Sequence, residues 1–189
     1  MTGAMARPAT RLVRWNGDEM LGRLEDVLGV YVTAMGYDRD IVTIRRGFVA
    51  GHTRRSAFRA VATLEEGTER LVGFGYGYTS GPGQWWHEQV RSGLSRTDYT
   101  YWMGDAFELV ELHVLPQAQG AGLGEAQLRT LLDGAPGATV ILSTPEGQSR
   151  AWRLYRRLGF ADVLRNHLFP GDERPFAVLG RQLPLGRAA

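Results

Sequence analysis

Cysteine is absent from this chain of 189 residues, which excludes disulfides, thiolate metal sites and a cysteine nucleophile. The histidines His52, His87, His113 and His167 show no metal-ligand spacing, so no metal is expected. No apolar run approaches the roughly 18 residues of a membrane-spanning helix. The first residues carry Arg7, Arg11 and Arg14 but no apolar core of a secretory leader, so the cytoplasm is the expected compartment and a membrane is not an expected partner. Charge of one sign is scarce too. The formal net charge is +2, from 22 Lys+Arg against 20 Asp+Glu, and no long basic run suggests nucleic acid. What remains is ordinary for a folded chain, 43% hydrophobic and 22% charged, with a length that suits one domain over 1–189.

Periodicity gives the element order. Thr10 to Trp15 reads as a strand. Asp18 is placed to cap a helix whose apolar positions Met20, Leu21, Leu24, Val27, Leu28 and Tyr31 recur at helical spacing. A second helix is expected from Asp40 to about Gly51. Ala57 to Leu64 and Leu71 to Tyr78 read as a hairpin across Glu65–Thr68. An aromatic-rich insertion, Gln84 to Trp102, has room for a short helix. Then come a strand at Phe107 to Val114, a helix near Gly122 to Leu132 and a strand at Thr139 to Ser143. A helix from Gln148 to Leu158 stops at Gly159, and strands at Phe160 to Phe169 and Pro175 to Leu183 follow. Such alternation predicts an α/β fold, a mixed sheet covered by helices on both faces.

The segment from Val114 to Gly124 joins a strand to a helix through Gln119, Gly120, Ala121, Gly122, Leu123 and Gly124. Glycines let backbone N–H groups approach a ligand, and a helix N-terminus adds positive potential, which together suit a pyrophosphate. A Walker loop is excluded because it needs Gly-Lys-Ser/Thr. A dinucleotide fingerprint is excluded because its third glycine would fall on Glu125. The pattern that fits is Arg/Gln-x-x-Gly-x-Gly/Ala, met by Gln119, Gly122 and Gly124. Here the chain resembles the GNAT superfamily of acyl-CoA-dependent N-acetyltransferases. Glu108 to Val114 and Pro116 before the loop, Leu128 after it, and the later run Ala151 to Phe160 around Tyr155 and Gly159 extend the likeness.

The resemblance implies a mostly antiparallel sheet of about seven strands in which strands four and five splay apart. It implies acetyl-CoA as co-substrate, with no metal, and an acceptor that is a small-molecule or peptide amine. Leu112, His113 and Val114 would offer backbone to the pantetheine arm, and an N–H near Val114 would polarise the thioester carbonyl. Gln119 to Gly124 would take the diphosphate, with Gln148, where many members have Asn, and Arg150 as further contacts. Among Arg150, Arg153, Arg156 and Arg157, at least two are expected to form only a solvated helix face.

Tyr155 stands where many members place the acid that protonates the leaving thiolate. A phenol of pKa about 10 can serve a thiol of about 8.5 only if well positioned, and packing of the ring against the sheet is the rival account. The base has three candidates. Strict strand alternation puts Glu108 with Val110, Leu112 and Val114 on one face, and Glu111 and His113 on the other. Glu108 aligns with the glutamate base of some members and comes first; Glu111 and His113 remain open, and each also has a purely structural reading. The insertion with Trp85 and Trp86 either lines the acceptor site, beside Glu108, or forms a satellite core or a homodimer contact. A coenzyme-binding sensor without turnover is the alternative to an enzyme.

Overall fold

The computed structural model describes residues 8–186 of the chain; Arg7, used above in reading the N-terminus, lies outside them. The elements are β1 (Thr10–Trp15), α1 (Gly17–Gly22), α2 (Leu24–Met35), α3 (Ile41–His52), β2 (Arg59–Glu65), β3 (Leu71–Ser80), α4 (Trp85–Ser92) and α5 (Arg96–Met103). They continue with β4 (Ala106–Val114), a 3-10 turn at Pro116–Ala118, α6 (Leu123–Leu132), β5 (Thr139–Pro145), α7 (Arg150–Arg157), β6 (Ala161–His167) and β7 (Phe176–Gln182).

The seven strands form one mixed sheet in the order β1-β2-β3-β4-β5-β7-β6, the mixed sheet with flanking helices that the sequence predicts. β1 and β2 pair antiparallel, as do β5 with β7 and β6 with β7. β4 and β5 are parallel, and their ladder runs only from Ala106↔Thr139 to Glu108↔Ile141, although both strands continue. That early end is the expected splay.

Three local expectations change. Asn16, not Asp18, caps the first helix: its side chain accepts from the Glu19 amide at 2.9 Å, and the Glu19 carboxylate accepts from the Asn16 amide at 2.7 Å. The expected single helix breaks at Arg23, which sits at φ −120° and ψ 22° between α1 and α2. The second strand begins at Arg59 because Ala57 has φ 55°, outside the extended region.

The chain divides into two compact units. The first comprises the residues up to Tyr76 with Glu111–Leu131, and the second Gly77–Val110 with the residues from Leu132 onward. In the first unit α2 and α3 cover one sheet face, where Tyr31 of α2 meets the His113 ring edge-on at 5.3 Å. α6 covers the other face through fully buried Gln127 and Leu128. In the second unit Val90, Met103, Ala106, Ile141, Phe169 and Val178 form a core on which Trp86, Tyr99 and Trp102 pack. The aromatic insertion is therefore two helices, and a Cβ on Gly180 would stand 2.6 Å from the Trp102 ring.

Candidate active site

In the first unit, the loop after β4 is built to present amides. Gly120 and Gly122 have φ of 82° and 76°, values that side chains with a Cβ rarely adopt. Nothing lies within 4 Å of a Cβ added at Gly122, so backbone conformation alone calls for glycine there. The amides of Gly120 through Gly124 donate to no acceptor among the described residues; the first helical bond of this turn is Ala126 N–H to Gly122 C=O at 3.0 Å. Gly120, Ala121 and Gly122 are exposed. Free amides at the start of a ten-residue helix are the kind of group that can receive an anion.

Two glutamines hold this loop to the sheet. The Gln119 amide donates to Val114 C=O at 3.0 Å, so its side chain is occupied at the end of β4. Gln127 accepts from the Thr63 hydroxyl at 2.7 Å and donates to His113 C=O at 3.2 Å, joining α6 to β2 and β4. A Cβ on Gly73 would lie 2.4 Å from Gln127 Oε1 and 2.9 Å from His113 O, so β3 needs glycine there. The sequence reading missed Gln127. Its position one residue before Leu128 on an amphipathic helix gave only a faint signal, since its partners come from distant strands.

The backbone of β4 has a free side. Leu115 N–H donates to Val72 C=O at 2.8 Å, so the neighbouring Val114 N–H, and that of Leu112 two residues earlier, point away from β3. The ladder with β5 has already ended at Glu108. From Val110 onward the strand is half-buried.

Two glycines of β3 are crowded by β4, each within its own unit. In the second unit a Cβ on Gly77 would meet Glu108 O at 2.2 Å and the Phe107 ring at 2.5 Å. In the first unit a Cβ on Gly75 would meet the Leu112 side chain at 2.8 Å and Glu111 O at 3.2 Å.

Glu111 and His113 share the face that bears Tyr31 and Phe74. His113 Nε2 lies 2.6 Å from Glu111 Oε2, and Arg45 of α3 donates to Glu111 Oε1 at 3.4 Å. The Arg45 guanidinium lies over the Tyr31 ring at 4.7 Å. Burial, then the Glu111 charge, push the Tyr31 phenol up to about 12. His52 Nδ1 lies 3.0 Å from the Tyr76 hydroxyl, and burial pulls this histidine down to about 4, so it is neutral at pH 7.

In the second unit, Glu108 is buried on β4 beside Ile141 of β5, at 3% exposure. Tyr155 is buried in α7 at 6% exposure, its ring 5.4 Å from Phe160. Ser149 caps α7 by accepting from Trp152 N–H at 3.0 Å. Gln148 and Arg150 are exposed at this helix start. Arg153 donates to Gln148 C=O at 3.0 Å, and Arg156 is taken by Asp162 and Phe160 C=O, so these two have structural work. Trp86 donates its indole N–H to Ser143 at 2.9 Å, whereas Trp85 is 56% exposed against Phe169. His87 is buried between Ser80 and Tyr99, at 2.9 and 3.1 Å. Among the described residues no cluster of three or more His, Asp or Glu could hold a metal ion, and no helix is long and apolar enough to cross a membrane.

Comparison with known proteins accords with this geometry. Residues 37–160 match the model of the Acetyltransferase (GNAT) family. The GCN5-like protein acetyltransferase Rv2170 of Mycobacterium tuberculosis is 46% identical over 195 residues, covering 88% of this chain and 95% of the relative. The ribosomal-protein-S18-alanine N-acetyltransferase of Escherichia coli superposes with a TM-score of 0.62 at 16% identity, covering 96% of this chain and 97% of that one. Arabidopsis thaliana NAA60, in complex with acetyl-CoA, superposes with a TM-score of 0.61 at 18% identity, covering 93% and 99%. The chain belongs to the GNAT acetyltransferase family.

Proposed function

We propose that the protein moves an acetyl group from acetyl-CoA directly to a primary amine on a small molecule or peptide, the whole chain acting as one acetyltransferase domain in the cytoplasm. The observation that carries the reading is the run of unengaged amides from Gly120 to Gly124 at the start of α6. Such a cradle takes the diphosphate of the coenzyme, with Arg150 as an outer phosphate contact. The outward N–H groups of Leu112 and Val114 receive the pantetheine arm and the thioester carbonyl, whose oxygen gains charge during attack.

Tyr155 acts as the acid. Its hydroxyl gives a proton to the coenzyme sulfur as the C–S bond breaks, which spares the enzyme from releasing a bare thiolate. A side chain of β4, among Glu108, Glu111 and His113, removes a proton from the amine. Trp85, with its exposed ring, is the better placed of the two tryptophans to meet an acceptor, because the Trp86 N–H is already bonded to Ser143.

Calorimetry with acetyl-CoA, followed by thiol release across a panel of amines, tests the proposal. The chain contains no lysine, so acetyl-lysine found after incubation with a protein acceptor belongs to the acceptor. Tyr155→Phe is expected to lower kcat about 10²-fold or more with acetyl-CoA affinity nearly unchanged. Binding without thiol release to any amine would instead favour the non-catalytic sensor.

A further inference from the structure

Resting on that acetyl-transfer reading, we infer that the group accepting the amine's proton is His113 Nδ1, with Glu111 and Arg45 as its positioning residues. An ionised carboxylate only accepts hydrogen bonds, so the 2.6 Å contact with Glu111 Oε2 places the imidazole proton on Nε2 and leaves a lone pair on Nδ1. Arg45, 3.4 Å from the other Glu111 oxygen, holds that carboxylate turned toward the ring.

The ring itself is held from both sides. Tyr31 meets it edge-on at 5.3 Å, and Phe74 packs at 5.5 Å. At 11% side-chain exposure it is sheltered from bulk water but still reachable. Its place in the chain matters most: His113 lies between Leu112 and Val114, the residues whose outward amides the acetyl-transfer reading assigns to the pantetheine arm and thioester. A base there is next to the reacting carbon by covalent construction.

The step balances. The acceptor arrives as an ammonium ion and passes one proton to Nδ1, forming an imidazolium that Glu111 stabilises. The freed nitrogen lone pair forms the N–C bond, and the C–S electron pair leaves with sulfur. Sulfur takes the Tyr155 proton, and the second proton lost by nitrogen restores the Tyr155 hydroxyl through solvent. The products are an amide, the free thiol and a protonated His113 that discharges to water.

The charged and titratable groups facing this cluster come from every element packed on it. They are Tyr31 of α2 and Tyr37 after it, Arg45 and His52 of α3, Arg55 after it, Tyr76 of β3 and Glu111 of β4. His52 is neutral above about pH 4, so it does not titrate in the working range.

The test is the pH profile of kcat/KM for acetyl transfer, measured alongside acetyl-CoA affinity. His113→Gln is expected to lower kcat/KM about 10²-fold or more near neutrality and to abolish the acidic limb, with coenzyme affinity changed less than about twofold. Because His113→Gln alone could act through packing, two charge variants supply the deciding readout. Arg45→Met removes a neighbouring cation and should move the limb up by about 0.5–1 pH unit. Glu111→Gln removes the anion and should move it down by a similar amount, with a lower plateau. A purely structural network would not move the limb in opposite directions. A normal limb in His113→Gln, or a limb abolished by Glu108→Gln instead, overturns the assignment while acetyl transfer stands. A native chain that binds acetyl-CoA yet acetylates no amine overturns both.

Discussion

Replacing Gln127 by leucine removes a side chain that bonds α6 to both β2 and β4, and the structure sets the size of the effect. The fully buried Thr63 hydroxyl loses its 2.7 Å acceptor, and His113 C=O loses a longer 3.2 Å donor. An orphaned buried hydroxyl costs about 1–3 kcal/mol, and a weak bond to a carbonyl adds about 1 kcal/mol. The sum is about 2–4 kcal/mol, or a melting temperature lower by roughly 5–15 °C for a chain of this length. Thr63→Val alone leaves Gln127 Oε1 without its donor and should cost about 1–3 kcal/mol. In the double variant neither orphan remains on the Thr63–Gln127 side. Its loss should therefore fall short of the summed single losses by at least about 1 kcal/mol. Urea unfolding of the four proteins measures this directly. Strict additivity, or a neutral Gln127→Leu, would refute the claim that this pair ties the loop helix to the sheet.

Two further outcomes follow from single residues. Folding keeps His52 neutral down to about pH 4, against 6.5 in the unfolded chain. Between those values only the unfolded chain binds the proton, so stability is intact above about 6.5 and is lost as pH falls toward 4, by up to about 3 kcal/mol. A His52→Gln variant should show a shallower decline in denaturant midpoint over that window, and an identical slope would exclude the contribution. Gly122→Ala meets no steric obstacle but must hold φ near 76°, which costs about 1–2 kcal/mol. The expected result is weaker acetyl-CoA binding by calorimetry with little change in melting temperature, because the loop relaxes locally rather than unfolding the core.

Much of the fold was legible because periodicity and punctuation are local. Gly159, at φ 79°, ends α7 where a left-handed residue was expected, and the glycine loop precedes α6 as read. What stayed hidden depends on contacts far apart in sequence. The break at Arg23 leaves the apolar spacing of the flanking helices nearly in phase, so the pattern alone passes through it. Arg45 comes from a helix 66 positions before Glu111, so no motif could have joined them. Composition left the tryptophans open between an acceptor wall and a satellite core, because it records ring content, not that Trp86 is bonded to Ser143.

The central claim is that backbone amides after β4 hold the coenzyme's diphosphate. Amide resonances followed by ¹⁵N NMR during titration with acetyl-CoA test it most directly. The account predicts that the Gly120, Ala121, Gly122, Leu123 and Gly124 signals move furthest, and that inorganic pyrophosphate moves the same set more weakly. Saturable binding that leaves those five signals in place would contradict it.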